Sequence, residues 1–174
     1  MDQPLNTILL TAYTHEDALR RFDLVREFLE TTFFVKTETA NSLAARLQDF
    51  ITTKKEITSI DAAALLSYGK EFYTGFTPEN FSGLFNEFEQ NLVHTPTITM
   101  YLPVGVDESD VIRLGKWFKL NIRKDALMRV HTDPGTAGGC AFVWKGVYHQ
   151  YSLNLWGSAE RPEFLRVIDS YKHA

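Results

Sequence analysis

The stretch "HTDPGTAGGCAFVWKGVYHQYSLNLW", residues 131–156, decides how the chain is read. A double glycine follows Asp133-Pro134, and two apolar runs then flank Lys145-Gly146. Cys140, Phe142 and Trp144 alternate with Ala141 and Val143, while Val147, His149, Tyr151 and Leu153 share one face of the returning run. Period-two alternation around a Lys-Gly pair predicts a β-hairpin. A loop that cradles phosphate presents its amides at a helix N-terminus, usually with a lysine following. Here Gly135-Thr136-Ala137-Gly138-Gly139 runs into a strand and contains neither Gly-Lys-Ser nor Gly-Lys-Thr. The glycines are expected to serve backbone geometry instead, with Gly138 and Gly139 in conformations closed to a residue bearing a Cβ.

Working outward, "TITMYLP" at 97–103 alternates Ile98, Met100 and Leu102 with Thr97, Thr99 and Tyr101, a strand ended by Pro103. Asp107 is expected to cap a helix with Glu108 and Asp110 in its first turn and Lys116 and Lys119 near its last, so that charge opposes the helix dipole at both ends. Residues 126–131 read as a second strand. Beyond the hairpin, Ser158 and Pro162 open a last helix carrying Phe164, Leu165, Ile168 and Tyr171. The order strand, helix, strand, strand, strand, helix describes a small α/β domain whose first two strands pair in parallel across a right-handed crossover.

Before residue 95 the apolar period changes to that of a helix. Thr14-His15-Glu16-Asp17 resembles a capping box, and behind it Ala18, Phe22, Val25, Leu29 and Phe33 form a stripe widened by Leu19 and Phe28. Leu43, Leu47, Phe50 and Ile51 repeat the pattern. Ser59 reads as the cap of a further helix with Ala62, Leu65, Leu66, Gly69 and Phe72 inside. Thr77-Pro78 opens another that buries Phe81, Leu84, Phe85, Phe88 and Leu92. Residues 5–12 fit a short helix or a strand, and the helix is favoured because neighbouring helices offer it an apolar surface. The fold class is therefore α plus α/β: an N-terminal helical bundle over 1–94, expected to fold without the rest, and a C-terminal β-α-β-β-β-α domain over 95–174.

Composition narrows the function. With 174 residues, 44% of them hydrophobic, the chain can bury a sizeable core. Residues 1–95 carry 14 acidic and 8 basic side chains, net −6, and 96–174 carry 8 acidic and 10 basic, net +2, which argues against nucleic acid as a partner. Ile8-Leu9-Leu10 is too short for a signal core or a membrane span, so the chain reads as soluble and cytosolic. Cys140 is the one cysteine and cannot build a thiolate zinc site alone.

Three constellations could carry chemistry. His131, Cys140 and His149 would suit a metal if adjacent strands brought them together, yet no fourth ligand stands at a regular spacing. Ser152, His149 and Asp133 have the residue types of a hydrolytic triad, but Ser152 lies within a strand pattern with no strained elbow. Trp144, Tyr148 and Tyr151 could stack on a base or sugar, and cross-strand packing explains them more simply. No active site emerges; a small metal- or nucleotide-binding enzyme and a generic adaptor stand as alternatives.

A resemblance fits the same residues. "DPGTAGGCAFVWKGVYHQYS" is similar to the C-terminal signature of the delta subunit of F-type ATP synthases, the oligomycin-sensitivity-conferring protein of mitochondria. Asp133, Pro134, Gly138, Gly139, Gly146 and Ser152 take the family's places in order. "FSGLFNEFEQNLVHTPTITMYLP" resembles its last bundle helix and first strand, and the similarity covers roughly residues 60–174. Gly135-Thr136-Ala137 stands where the family has Ser-Leu-Ile or similar, and Gln150-Tyr151 where it has Asp-Gly. The resemblance implies a six-helix bundle joined to an α/β domain, with the first helix shortened to residues 5–12. It also implies a non-catalytic clamp without cofactor or metal, peripheral on the cytoplasmic side of a cell membrane, bacterial because no transit peptide precedes the bundle. The implied partners are the N-terminal helix of the head's alpha subunit and the C-terminal helix of stalk subunit b. Ile8, Leu9, Leu65, Leu66 and Phe72 are the implied walls of the groove for the head's helix.

Overall fold

The computed structural model describes residues 4–34, 42–136 and 138–151. Within them the chain is mixed helix and sheet, with six helices before the first strand and a seventh inside the sheet region. The six are α1 (Pro4–Thr11), α2 (His15–Phe34), α3 (Leu43–Thr53), α4 (Ser59–Ser67), α5 (Gly69–Thr74) and α6 (Phe81–His94). Of residues 5–12, expected to be a short helix, all but Ala12 are helical.

Local chemistry sets the boundaries. Thr14 Oγ1 accepts from the Asp17 amide at 3.0 Å while the Thr14 amide donates to Asp17 Oδ2 at 3.1 Å, a reciprocal capping box opening α2. Ser42 Oγ caps α3 through the Ala45 amide. For α4 the cap is Thr58, not Ser59: Thr58 Oγ1 accepts from the Asp61 amide at 3.1 Å. The single inner helix expected over 59–72 is broken at Gly69, whose φ of +74° is left-handed. Helix α6 begins at Phe81 rather than Thr77, because Thr77 and Asn80 close a separate turn on each other, with bonds of 2.8 and 3.3 Å.

The bundle core forms on α2. Ala18, Phe22, Val25, Phe28 and Leu29 are buried, with Phe22 stacked on Phe88 of α6 at 4.4 Å between ring centroids. Leu19, expected to widen this stripe, faces outward at 38% exposure.

The sheet contains β1 (Thr97–Leu102), β2 (Leu127–Thr132), β3 (Cys140–Trp144) and β4 (Val147–Tyr151) in the order β2-β1-β3-β4. Strands β1 and β2 are parallel, connected through α7 (Glu108–Asn121), and the other pairs are antiparallel. Ile98, Met100 and Met128 pack with Val111, Leu114 and Phe118 of α7. Lys145 and Gly146, at φ of 50° and 77°, make the two-residue turn between β3 and β4 with both central residues left-handed.

The bundle does not close its core alone. Leu127 of β2 is fully buried within the bundle's cluster. The α1–α2 connection runs beside β2: the Met128 amide donates to the Tyr13 carbonyl at 2.9 Å, and Thr14 bridges Met128 in parallel. Gly115 of α7 lies against Tyr13 so closely that an added Cβ would sit 2.6 Å from Tyr13 Cβ. Residues before and after 95 therefore share a packed seam, and the front half borrows Leu127 from beyond it. Leu153 and the helix read from Ser158 and Pro162, with Phe164, Leu165, Ile168 and Tyr171, lie outside the described residues.

Candidate functional site

The β2–β3 connection carries the glycine signature. Asp133 organises it: its Oδ1 accepts from the Gly135 amide at 2.9 Å, and its carbonyl accepts from both the Thr136 amide and hydroxyl, at 3.0 and 2.7 Å. The Asp133 amide donates to Leu102 O at 2.7 Å, anchoring the turn to β1. Pro134–Thr136 form one 3-10 turn with Thr136 buried. The Gly135 and Thr136 amides, which an incoming phosphate would need, are already bonded to Asp133, whose carboxylate takes the anion's place. Among the described glycines, left-handed φ falls on Gly69, Gly138 (+74°) and Gly146, and not on Gly139. The expectation for the double glycine holds for its first member only; the second leads into β3.

Sheet register separates the possible metal ligands. His131 pairs with Tyr101 and stacks on it, with ring centroids 5.5 Å apart. His149 pairs with Phe142, which pairs with Met100. Tyr101 and Met100 are consecutive on β1, so their side chains leave opposite faces, and His131 and His149 do likewise. Cys140, two residues from Phe142, is on the His149 face. Strands β2 and β4 are separated by β1 and β3, about 14 Å at the usual strand spacing, which also parts Asp133 from His149. Ser152 lies outside the described residues. No group of three or more His, Cys, Asp or Glu suited to a metal is found among those described.

Trp144, Tyr148 and Tyr151 do not share one face. Phe142 stacks between His149 and Tyr151, at 4.8 and 5.9 Å, and Trp144 packs with the α7 cluster. Tyr148 pairs with Val143 and points to the other face. Of the implied groove walls, Ile8, Leu9, Leu65 and Phe72 are buried at 0, 7, 0 and 6% exposure, and Leu66 is 48% exposed. Four of the five are core side chains, members of the one cluster that the bundle buries around α2.

Sequence reading missed a buried charge cluster in the bundle. Asp61, fully buried at the start of α4, accepts from Arg20 Nε at 2.7 Å and Arg21 Nε at 3.1 Å. Arg20 also reaches Asp17 at 2.9 Å. Burial alone would push the Asp61 carboxyl up, but hydrogen bonds from Arg20, Thr58 and Arg21 reverse this and hold it below the usual carboxylate range. The available signal was Arg21 itself, three residues from Ala18 on the apolar side of α2.

Lys119 of α7 crosses the seam and donates to the carbonyls of Leu9 and Leu10 at 2.5 and 3.2 Å, capping the C-terminal end of α1. Burial lowers its ammonium to about 8. Comparisons with protein-family models and with curated proteins give no match. Among the described residues no helix is long and apolar enough to cross a membrane.

Proposed function

We propose that the chain is a non-catalytic stator subunit of an F-type proton-translocating ATP synthase, joining the catalytic head to the peripheral stalk on the cytoplasmic side of the cell membrane. One observation carries this reading: Asp133, Pro134, Gly138, Gly139 and Gly146 fall, in the order of the delta-subunit signature, on a capped turn and hairpin that follow six helices and a β-α-β unit. Those positions shape backbone, which suits a protein whose work is mechanical. A stator clamp resists torque through two attachments in series, so it needs a stiff connection between two docking surfaces and no reactive side chain. The seam of Leu127, Tyr13, Gly115 and Lys119 offers such stiffness.

In this reading the bundle side receives the N-terminal helix of the head's alpha subunit, and the sheet side receives the C-terminal helix of stalk subunit b. Two modest contacts on one rigid body raise effective affinity without any single strong bond. The test is to tag the full chain in its own cells and purify it in mild detergent. Alpha, beta and b subunits should co-purify, and removal of the chain should release the head from its membranes. A preparation free of synthase subunits would overturn the proposal.

A further inference from the structure

Helix α4 sits on the bundle with little apolar grip. Of its nine residues Asp61 and Leu65 alone are buried, and Tyr68, which ends α4 and starts α5, is buried one turn further on. Two of these three inward side chains are polar, and both belong to one chain of bonds through the bundle. Arg20 and Arg21 of α2 donate to Asp61, Thr58 Oγ1 donates to Asp61 Oδ2 at 2.9 Å, and the Arg21 guanidinium faces the Tyr68 oxygen. Tyr68 Oη and Thr11 Oγ1 share a hydrogen bond at 3.1 Å, which carries the chain to α1. Around it the core is aromatic and aliphatic, built from Phe22, Phe28, Leu29, Phe72 and Phe88. Such a core accepts a neighbouring helix in more than one register, since apolar side chains of about the right volume are enough to fill it. Directed hydrogen bonds accept one. Sliding α4 by one turn, about 5.4 Å, would leave Asp61 and Arg21 buried apart, each without its partner.

We infer that the network of Arg20, Asp61, Arg21, Tyr68 and Thr11 is a register lock: it selects the one placement of α4 against α2 and α1, and it supplies uniqueness rather than added stability. Two charges taken out of water lose hydration about as large as the attraction they gain, so an apolar pair of similar volume holds the fold as firmly. What the apolar pair lacks is direction, which a fully bonded polar network has. The placement of the network suits this role. Thr58 and Tyr68, the caps at the two ends of α4, are themselves bonded into it, so fixing Asp61 fixes where the helix starts and stops. The inference does not rest on the stator reading.

The test exchanges the buried pair for apolar side chains in the full-length chain: Arg21→Met with Asp61→Leu, and, as a second filling of the same space, Arg21→Leu with Asp61→Met. At least one of the two should have a urea midpoint equal to or above the parent's. In that variant the amide NMR signals of Ala62 to Ser67 should double or broaden, while those of β1 stay single. Asp61→Asn, which keeps the shape of the carboxylate, should give the converse, a lower midpoint with single α4 signals. An apolar pair that holds the midpoint and shows single, sharp α4 signals overturns the inference, because the helix then finds its place without the lock. A midpoint below the parent's in both pairs also overturns it, by making the network a source of stability. Broadening that extends to β1 does the same, since it would mark a general loss of packing rather than a freed helix.

Discussion

At Asp61 two guanidinium groups converge on one carboxylate with no solvent access, so its charge and its hydrogen bonds cannot be separated in the folded chain. Asp61→Asn keeps the shape and leaves Arg21, 2% exposed, without its counter-ion. Breaking a buried pair from one side costs about 3–5 kcal/mol, and urea denaturation at pH 7 should show a loss of that size. The pH dependence follows from the lowered carboxyl: the unfolded chain holds the proton at a higher pH than the folded one, so the stabilisation is present above the ordinary carboxylate value and lost as pH falls through the folded one. Acid unfolding below about pH 4 should therefore be shallower in Asp61→Asn than in the parent. A parent acid limb identical to the variant's would show that other carboxylates govern it. The double glycine sets a second contrast. Gly138→Ala forces a Cβ into a left-handed residue and should cost about 1–2 kcal/mol, whereas Gly139→Ala should cost clearly less. Equal losses would place the constraint in packing rather than in backbone conformation.

Among elements, the strands of the hairpin were legible because Lys145-Gly146 and the alternation on either side are short-range signals, and the structure answers both within a residue. Helix boundaries were less so. Thr58 and Ser59 are both good caps, and only the tertiary pull of Arg20 and Arg21 on Asp61 selects Thr58, which stands three residues before that carboxylate. The same limit applies to Leu66 and Leu19, apolar residues on periodic helices whose exposure depends on how neighbouring helices pack. Register decided the site. No spacing in sequence could tell that β1 would be inserted between β2 and β3, and that insertion separates His131 from Cys140 and His149. The cap assignment is open to direct measurement: Thr58→Ala should lower stability by about 1 kcal/mol, as loss of an N-cap does, and Ser59→Ala should change it by a few tenths at most. A larger loss at Ser59 would return the cap to the position the sequence suggested.

Across the described residues the two halves share a packed seam, which predicts that residues 1–94 do not unfold apart from the rest. The bundle's core includes Leu127, and α1 ends on Lys119, so the two halves should unfold together. Lys119 makes that coupling visible through pH. Burial brings its folded value to about 8 from an ordinary 10.5, so between these values the unfolded chain binds a proton that the folded chain does not. Stability must then rise with pH across that window, because the cost of burying the charge disappears as the amine becomes neutral. Tyr68 and Tyr73 act in the other direction. Burial raises both phenols, so their contribution is complete below about pH 10 and is lost above it. The clean interval is therefore pH 8 to 10. Allowing for the partial solvent access of Lys119, unfolding free energy should increase by about 1–2 kcal/mol over it. Lys119→Met, which keeps the stem and removes the charge, should abolish the rise while calorimetry still records one cooperative transition. A flat parent profile would mean that the ammonium is solvated and does not cap α1. Two separate transitions in the parent would show that the halves are not coupled, and a clamp built on that seam could not transmit torque.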